Sequence, residues 1–155
     1  MTGPATSDDP RAKALPSMLY LVKQLELAVR ARLDEALRPV SVTPLQYTAL
    51  TVLERRSDLS TAELARNAFV TDQSAADMVG VLEGRGLILR HPDPGDRRRR
   101  VLRLTAAGRE LLDRVRADVA AVEERMLSPL GADEADDLRR YVTACRGALS
   151  NSLPH

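Results

Sequence analysis

Four consecutive arginines, Arg97, Arg98, Arg99 and Arg100, follow the turn-forming stretch His91-Pro92-Asp93-Pro94-Gly95-Asp96. A charge run is often only a solvated loop. Four Arg with almost no Lys, placed just after a Pro-Gly turn, suit a more specific task, because a guanidinium binds phosphate bidentately and fits a narrow, negatively charged groove. The chemistry on offer is anion binding at the tip and returning edge of a hairpin.

Other reactive groups lack the partners that catalysis or metal binding requires. The adjacent carboxylates Glu123-Glu124 and Asp136-Asp137 are helix neighbours pointing about 100° apart, so they read as solvated faces rather than an acid/base pair. Cys145 is the one cysteine, which excludes an intramolecular disulfide, and its place on the apolar side of a helix predicts a buried structural thiol. His91 and His155 stand too far apart to form a zinc site with it. There is no G-x-S-x-G elbow and no Gly-rich phosphate loop. The chain reads as a non-enzyme with neither cofactor nor metal.

The elements that must position the arginines follow from periodicity and caps. Leu15, Met18, Val22, Leu25, Val29 and Leu33 mark one face of a long helix that Pro39 stops. Thr43-Pro44-Leu45-Gln46 is an N-cap, a proline at the first helical position and a capping-box glutamine, opening a helix to about Glu54. Ser60-Thr61-Ala62-Glu63 starts a short helix ending near Asn67, and Thr71 caps another. In that last helix Ala75, Met78, Val79 and Leu82 face inward, leaving Gln73, Ser74, Ala76, Asp77 and Gly80 outside. Gly84 and Gly86 end it. Leu87 to Arg90 and Arg100 to Leu104 then read as two short strands of a hairpin. Thr105 caps a long helix with the stripe Leu111, Val115, Val119, Val122 and Met126, and the final helix shows Leu138, Tyr141, Val142, Cys145 and Leu149.

These elements predict a mainly α fold with a small β-hairpin, α+β in class: a winged helix-turn-helix flanked by N- and C-terminal helices. The expected units are a disordered leader at 1–14, a dimerisation helix at 15–40, the winged helix at 41–104 and C-terminal dimerisation helices at 105–150. Composition agrees, since only 3% of residues are aromatic and the core must be built from Leu, Val and Ala. The longest apolar run, Met18 to Val22, is far below the roughly 20 residues of a membrane span. Met1 to Pro10 lacks the apolar core of a signal peptide, so a cytoplasmic chain without membrane contact is expected. The net charge of +1 hides a local asymmetry: seven Arg against two Asp from Arg85 to Arg103, and five acids against Arg66 from Asp58 to Glu83.

Thr43-Pro44-Leu45-Gln46, Leu59-Ser60-Thr61-Ala62-Glu63-Leu64-Ala65, Leu82-Glu83-Gly84-Arg85-Gly86-Leu87 and Asp96-Arg97-Arg98 through Leu104-Thr105 occur in an order and spacing that resembles the MarR (multiple antibiotic resistance regulator) family. The resemblance covers nearly all of residues 15 to 149. It implies a homodimer held by the N- and C-terminal helices, each protomer offering a winged helix to half of a palindromic operator in double-stranded DNA, as a repressor released by a small-molecule effector. The apolar stripes of the outer helices independently ask for a partner surface. The candidate DNA surface is Thr71, Gln73, Ser74 and Asp77 with Arg97, Arg98, Arg99 and Arg100.

The resemblance gives Asp96 the role of holding a wing Arg in position, with Arg98 as the inserted residue. It also implies a pocket for a small aromatic effector between the dimerisation helices and the winged helix, with Tyr20 and Tyr47 as its candidate borders. Aromatic residues at such positions are more often core. The peroxide-sensing branch uses a cysteine in the first helix and the urate-responsive branch a Trp near the N-terminus; neither is present here. Asp72 and Asp77 stand where relatives often carry Arg. The acidic stretch motivates an alternative reading, a winged-helix protein-interaction or dimerisation module with weakened DNA binding.

Overall fold

The computed structural model describes residues 15–150, so the expected leader at 1–14 lies outside the described residues. The order is α1 (Met18–Leu37), a 3-10 turn (Arg38–Val40), α2 (Pro44–Arg55), α3 (Thr61–Ala68), α4 (Asp72–Gly84), β1 (Ile88–Pro92), β2 (Arg100–Leu104), α5 (Ala106–Leu127) and α6 (Ala132–Ser150).

Local chemistry explains most boundaries. Leu15 precedes a proline, which disfavours helical backbone there, so α1 starts only after the Ser17 N-cap, whose hydroxyl accepts from the Tyr20 N–H. Pro39 converts the end of α1 into a 3-10 turn, closed by Ser41 at φ 56°. The full capping box at Thr43 and Gln46 forms as expected. At Ser60 only half of it forms: the hydroxyl accepts from Glu63 N–H, whereas the Glu63 carboxylate turns to Arg99. Strand β1 runs two residues past the expected Arg90, to Pro92 opposite Arg100, a strand end where the missing N–H is tolerated.

The core lies where α2, α3, α4, the hairpin and the first half of α5 converge on the end of α1. Leu37, Leu50, Leu64, Val79, Leu82, Leu102 and Leu112 are all buried there. Truncating any of these leucines to Ala costs about 2–5 kcal/mol. The hairpin is held to this body as if by a third strand: Leu102 N–H donates to Leu59 O at 2.8 Å and Asp58 N–H to Leu102 O at 3.1 Å.

At the base of the hairpin, Gly86 takes φ 71° to end α4, and Thr105 caps α5 while its hydroxyl donates to Gly86 O at 2.7 Å. Gly108 lets α5 lie directly on this junction, since an added Cβ would stand 2.3 Å from Leu87 O. Arg85 donates to Val40 O at 2.8 Å and Ser41 O at 2.7 Å, tying the end of α4 to the chain just after α1. Arg116 bridges α5 to Glu54 of α2 at 2.7 Å.

The outer helices differ sharply from this body. Helix α6 buries no residue, and Tyr141, Val142 and Leu149 remain exposed, as do Leu19 and Val22 on α1. Cys145, expected to be buried, is likewise exposed, because the described residues pack too sparsely on α6 to bury any of its side chains. Among the described residues, no helix is long and apolar enough to cross a membrane.

Candidate nucleic-acid interface

Helix α4 presents a polar side built one residue at a time by its own periodicity. Ala75, Met78, Val79 and Leu82 are buried, which turns Gln73, Ser74, Asp77 and Gly80 to solvent. Thr71 caps the helix: its hydroxyl accepts from Ser74 N–H at 3.1 Å and also donates to Ser74 Oγ at 3.1 Å. The Thr71 O–H is therefore committed to Ser74, whose own O–H stays available. Gln73 Nε2 donates to Asp77 Oδ1 at 3.0 Å, so the mid-helix acid is engaged by a neighbour one turn away. Asp72 sits in the first turn, where the helix dipole favours a negative charge.

Gly80 lies on this same polar side, as its spacing predicts, and the spacing alone gives it no task. A Cβ added there would meet nothing within 4 Å, so the fold does not need the missing side chain. Mid-helix glycine costs roughly 0.5–1 kcal/mol relative to Ala. Nothing among the described residues accounts for it.

The arginines between 85 and 103 divide into two groups. Arg85 is bound to carbonyls at the end of α1 as described. Arg103 forms a fork on Asp58, Nε to Oδ1 at 2.8 Å and Nη2 to Oδ2 at 3.1 Å, and His91 Nε2 lies 3.0 Å from the same carboxylate. The Arg103 guanidinium holds the Asp58 carboxyl below the usual carboxylate range, against the opposing effect of its partial desolvation. Arg90 lies 3.5 Å from Glu83. Arg99, one of the four candidate DNA contacts, is paired with Glu63 and, at 3.3 Å, with Asp93. Its guanidinium serves the shape of the wing.

The side chains of Arg97, Arg98 and Arg100, in contrast, make no hydrogen bond or ion pair among the described residues, and all three are exposed. Three of the five acids between Asp58 and Glu83 are thus matched to three hairpin arginines, and the apparent separation of a basic and an acidic region dissolves into cross-links. What the hairpin leaves uncompensated is its tip.

The tip itself is shaped by carboxylates acting on the main chain. Asp93 Oδ1 accepts from Gly95 N–H at 3.0 Å, and Asp96 Oδ1 accepts from Arg98 N–H at 3.1 Å. Asp96 therefore positions Arg98 through its backbone and not by gripping a guanidinium. That arrangement leaves the Arg98 side chain free at the outer end of the hairpin.

Neither Tyr20 nor Tyr47 lines the main groove beside α1. Tyr20 is exposed and pairs with Gln24 at 2.9 Å, while Tyr47 packs against the core, where burial pushes its hydroxyl pKa up. The groove, about 870 Å³, runs between α1, the start of α2 and the α3–α4 turn, and Val22, Leu25, Pro44, Phe69, Val70 and Met126 give it apolar walls. Glu26 and Arg30, paired with each other, stand at its edge. No sequence pattern singles out Phe69; its φ of 56° as the residue closing α3 is what turns its ring outward into the groove. Among the described residues, no three His, Cys, Asp or Glu side chains converge as a metal site requires.

Comparison with known proteins places this geometry. Residues 40–99 match the MarR family. The HTH-type transcriptional repressor Rv2887 of Mycobacterium tuberculosis is 33% identical over 79% of this chain and 88% of its own length. The structure of the transcriptional repressor CouR bound to a 23-mer DNA duplex superposes with a TM-score of 0.77 at 31% identity, covering 84% of this chain and 92% of that one. CouR from Rhodococcus jostii RHA1 bound to p-coumaroyl-CoA, at 22% identity and a TM-score of 0.79 over 93% of this chain and 99% of that one, has the same fold. With a winged helix whose hairpin keeps its uncompensated arginines at the tip, and relatives of this extent, the chain belongs to the MarR family of transcriptional regulators.

Proposed function

We propose that this chain works in the cytoplasm as a homodimeric repressor that places α4 in the major groove of each operator half-site and the wing on the flanking phosphates. The observation that carries the reading is the division of the arginines from 85 to 103: four are consumed within the fold, and Arg97, Arg98 and Arg100 are left exposed and unpaired. Unpaired guanidiniums grouped on one hairpin suit a polyanion, and the DNA-bound CouR relative supports DNA as that polyanion. Arg98, held out by Asp96, is the residue for the minor groove, with Arg97 and Arg100 on phosphates. The chain acts by binding and not by catalysis.

The uncovered apolar sides of α1 and α6 supply the dimer contact, so the expected units are the outer helices at 15–40 and 105–150 and the winged helix at 41–104. The apolar groove beside α1 suits a small aromatic effector, with Phe69 and not the two tyrosines as its aromatic wall. Such a ligand acts by its different affinity for the DNA-binding and released conformers.

The test is DNA binding at two salt concentrations, by fluorescence anisotropy on a duplex selected from a random pool and on an unselected one. A repressor of this kind selects a palindrome and binds it with a steep negative salt slope. Absence of both selection and slope favours the protein-interaction alternative, which the acidic stretch first suggested and which loses support once three of its acids are matched to wing arginines.

A further inference from the structure

Gln73 and Asp77 stand one turn apart on the exposed side of α4, joined by the bond from Gln73 Nε2 to Asp77 Oδ1 at 3.0 Å. We propose that Asp77 is a positioning residue that fixes the amide of Gln73 so that Gln73 reads an adenine in each half-site. This rests on the reading of α4 as the recognition helix.

A carboxylate only accepts hydrogen bonds, so Asp77 admits only the NH2 end of the Gln73 amide and excludes the flipped arrangement. In the proposed arrangement Asp77, one turn ahead, takes the N–H directed away from the amide oxygen. Gln73 is then left with Oε1 and its neighbouring N–H side by side, an acceptor next to a donor. Adenine offers the complement in the major groove, an N6 amino donor beside the N7 acceptor. Guanine offers acceptors at both N7 and O6, so a fixed Oε1 meets another acceptor and the base is rejected.

Two further observations single out Gln73. Thr71 has spent its O–H on Ser74, so Gln73 and Ser74 are the side chains of the first turns that keep a free donor and acceptor, and of the two only Gln73 presents them side by side in one plane. Gly80, on the same side and needed by nothing inside the fold, keeps the surface beyond Asp77 low enough for close approach. A bland alternative exists, since a Gln–Asp pair at this spacing also stabilises an isolated helix. Asp77 reading cytosine directly, through its own carboxylate, is the other competitor.

The experiment is an affinity profile across every single base-pair substitution of the operator selected by the parent dimer, for the parent, Gln73→Ala, Asp77→Ala, Asp77→Glu and the double alanine variant. Gln73→Ala is expected to lose roughly 5- to 150-fold of discrimination at one A·T pair per half-site. Asp77→Ala loses discrimination at that same pair, Asp77→Glu retains it, and the double variant is no flatter than Gln73→Ala alone. If Asp77→Ala lowers the melting temperature but leaves every base preference intact, the pair only stabilises the helix and the proposal fails. It fails equally if Asp77→Ala flattens a different base pair from Gln73→Ala, since Asp77 then reads a base itself. Should the parent select no operator at all, the recognition-helix reading is what has failed, and the proposal goes with it.

Discussion

The winged-helix body and the outer helices are built from similar residues and meet opposite fates. Leu50, Leu64 and Leu82 of the body are buried by their own chain, whereas α6 buries none of its residues and Val142 and Leu149 stay open to solvent. A body that satisfies its own apolar surface needs no partner to fold and keeps its polar exterior free for a ligand. The outer helices have an apolar exterior that the described residues leave uncovered, which suits a second chain. The largest effect should therefore come from attacking that cover. Val142→Asp is expected to shift the protein from dimer to monomer in analytical ultracentrifugation and to abolish operator binding, because an unpaired charge buried between the subunits costs several kcal/mol. An unchanged dimer means that α6 is not the cover.

Breaking the body instead should leave no folded winged helix to compare. Gly108→Val puts a side chain where even a Cβ would stand 2.3 Å from Leu87 O and 2.5 Å from Leu104 Cδ1. The expected outcome is loss of the cooperative thermal transition, or a melting temperature lower by many degrees, read by circular dichroism.

The wing sharpens the comparison further, because it contains arginines of both kinds. Replacing Arg97 or Arg100 with Ala should leave the melting temperature unchanged and reduce the salt slope of DNA binding by about one for each phosphate no longer neutralised, while Arg98→Ala should also leave the melting temperature unchanged and cost more affinity. Arg103→Ala should do the reverse, lowering stability and affecting DNA only through a loosened wing. Equal behaviour of the two sets in both assays ends the distinction between them.

Acid should act on the second set alone. Asp58 has its pKa held down in the folded chain, so its stabilising effect is complete above the ordinary carboxylate value of about 3.9 and disappears as the pH falls through the lowered one. Between about pH 5 and 8 this pair is expected to contribute no pH dependence to stability. Asp58→Asn should reduce the acid-induced destabilisation below about pH 4, leaving the share that Glu26 contributes, measured by urea unfolding at a series of pH values. The smallest effect is expected from Gly80→Ala, which should raise the melting temperature by a degree or a few while weakening operator binding.

Elements with strong local signals were legible in the sequence. The Thr43 box, the Thr71 and Thr105 caps and the inward stripe of α4 all form where the residues predict them, because cap and period are short-range chemistry. What was not legible depends on pairings between residues distant in sequence. Nothing in the run Arg97 to Arg100 distinguishes Arg99 from its neighbours; its pairing with Glu63 needs the hairpin folded back on α3. The match of Asp58 to Arg103 spans the whole helix-turn-helix, so counting charges by segment suggested two opposed surfaces where the fold makes cross-links. Phe69 is not legible because its left-handed backbone, and not its place in any pattern, sets it beside the groove.

Arg85 has a mechanical consequence. Its two bonds to Val40 O and Ser41 O fix the far end of α4 at the foot of α1, while Gln73 lies 12 residues away at the end next to the α3–α4 turn. At about 1.5 Å per residue that is a lever of about 18 Å, and a tilt of about 10° at its pivot carries Gln73 through about 3 Å, the full length of a hydrogen bond. The groove beside α1 is walled by Phe69 and Val70 just before α4, so a molecule seated there would act close to Gln73, where the smallest tilt matters most.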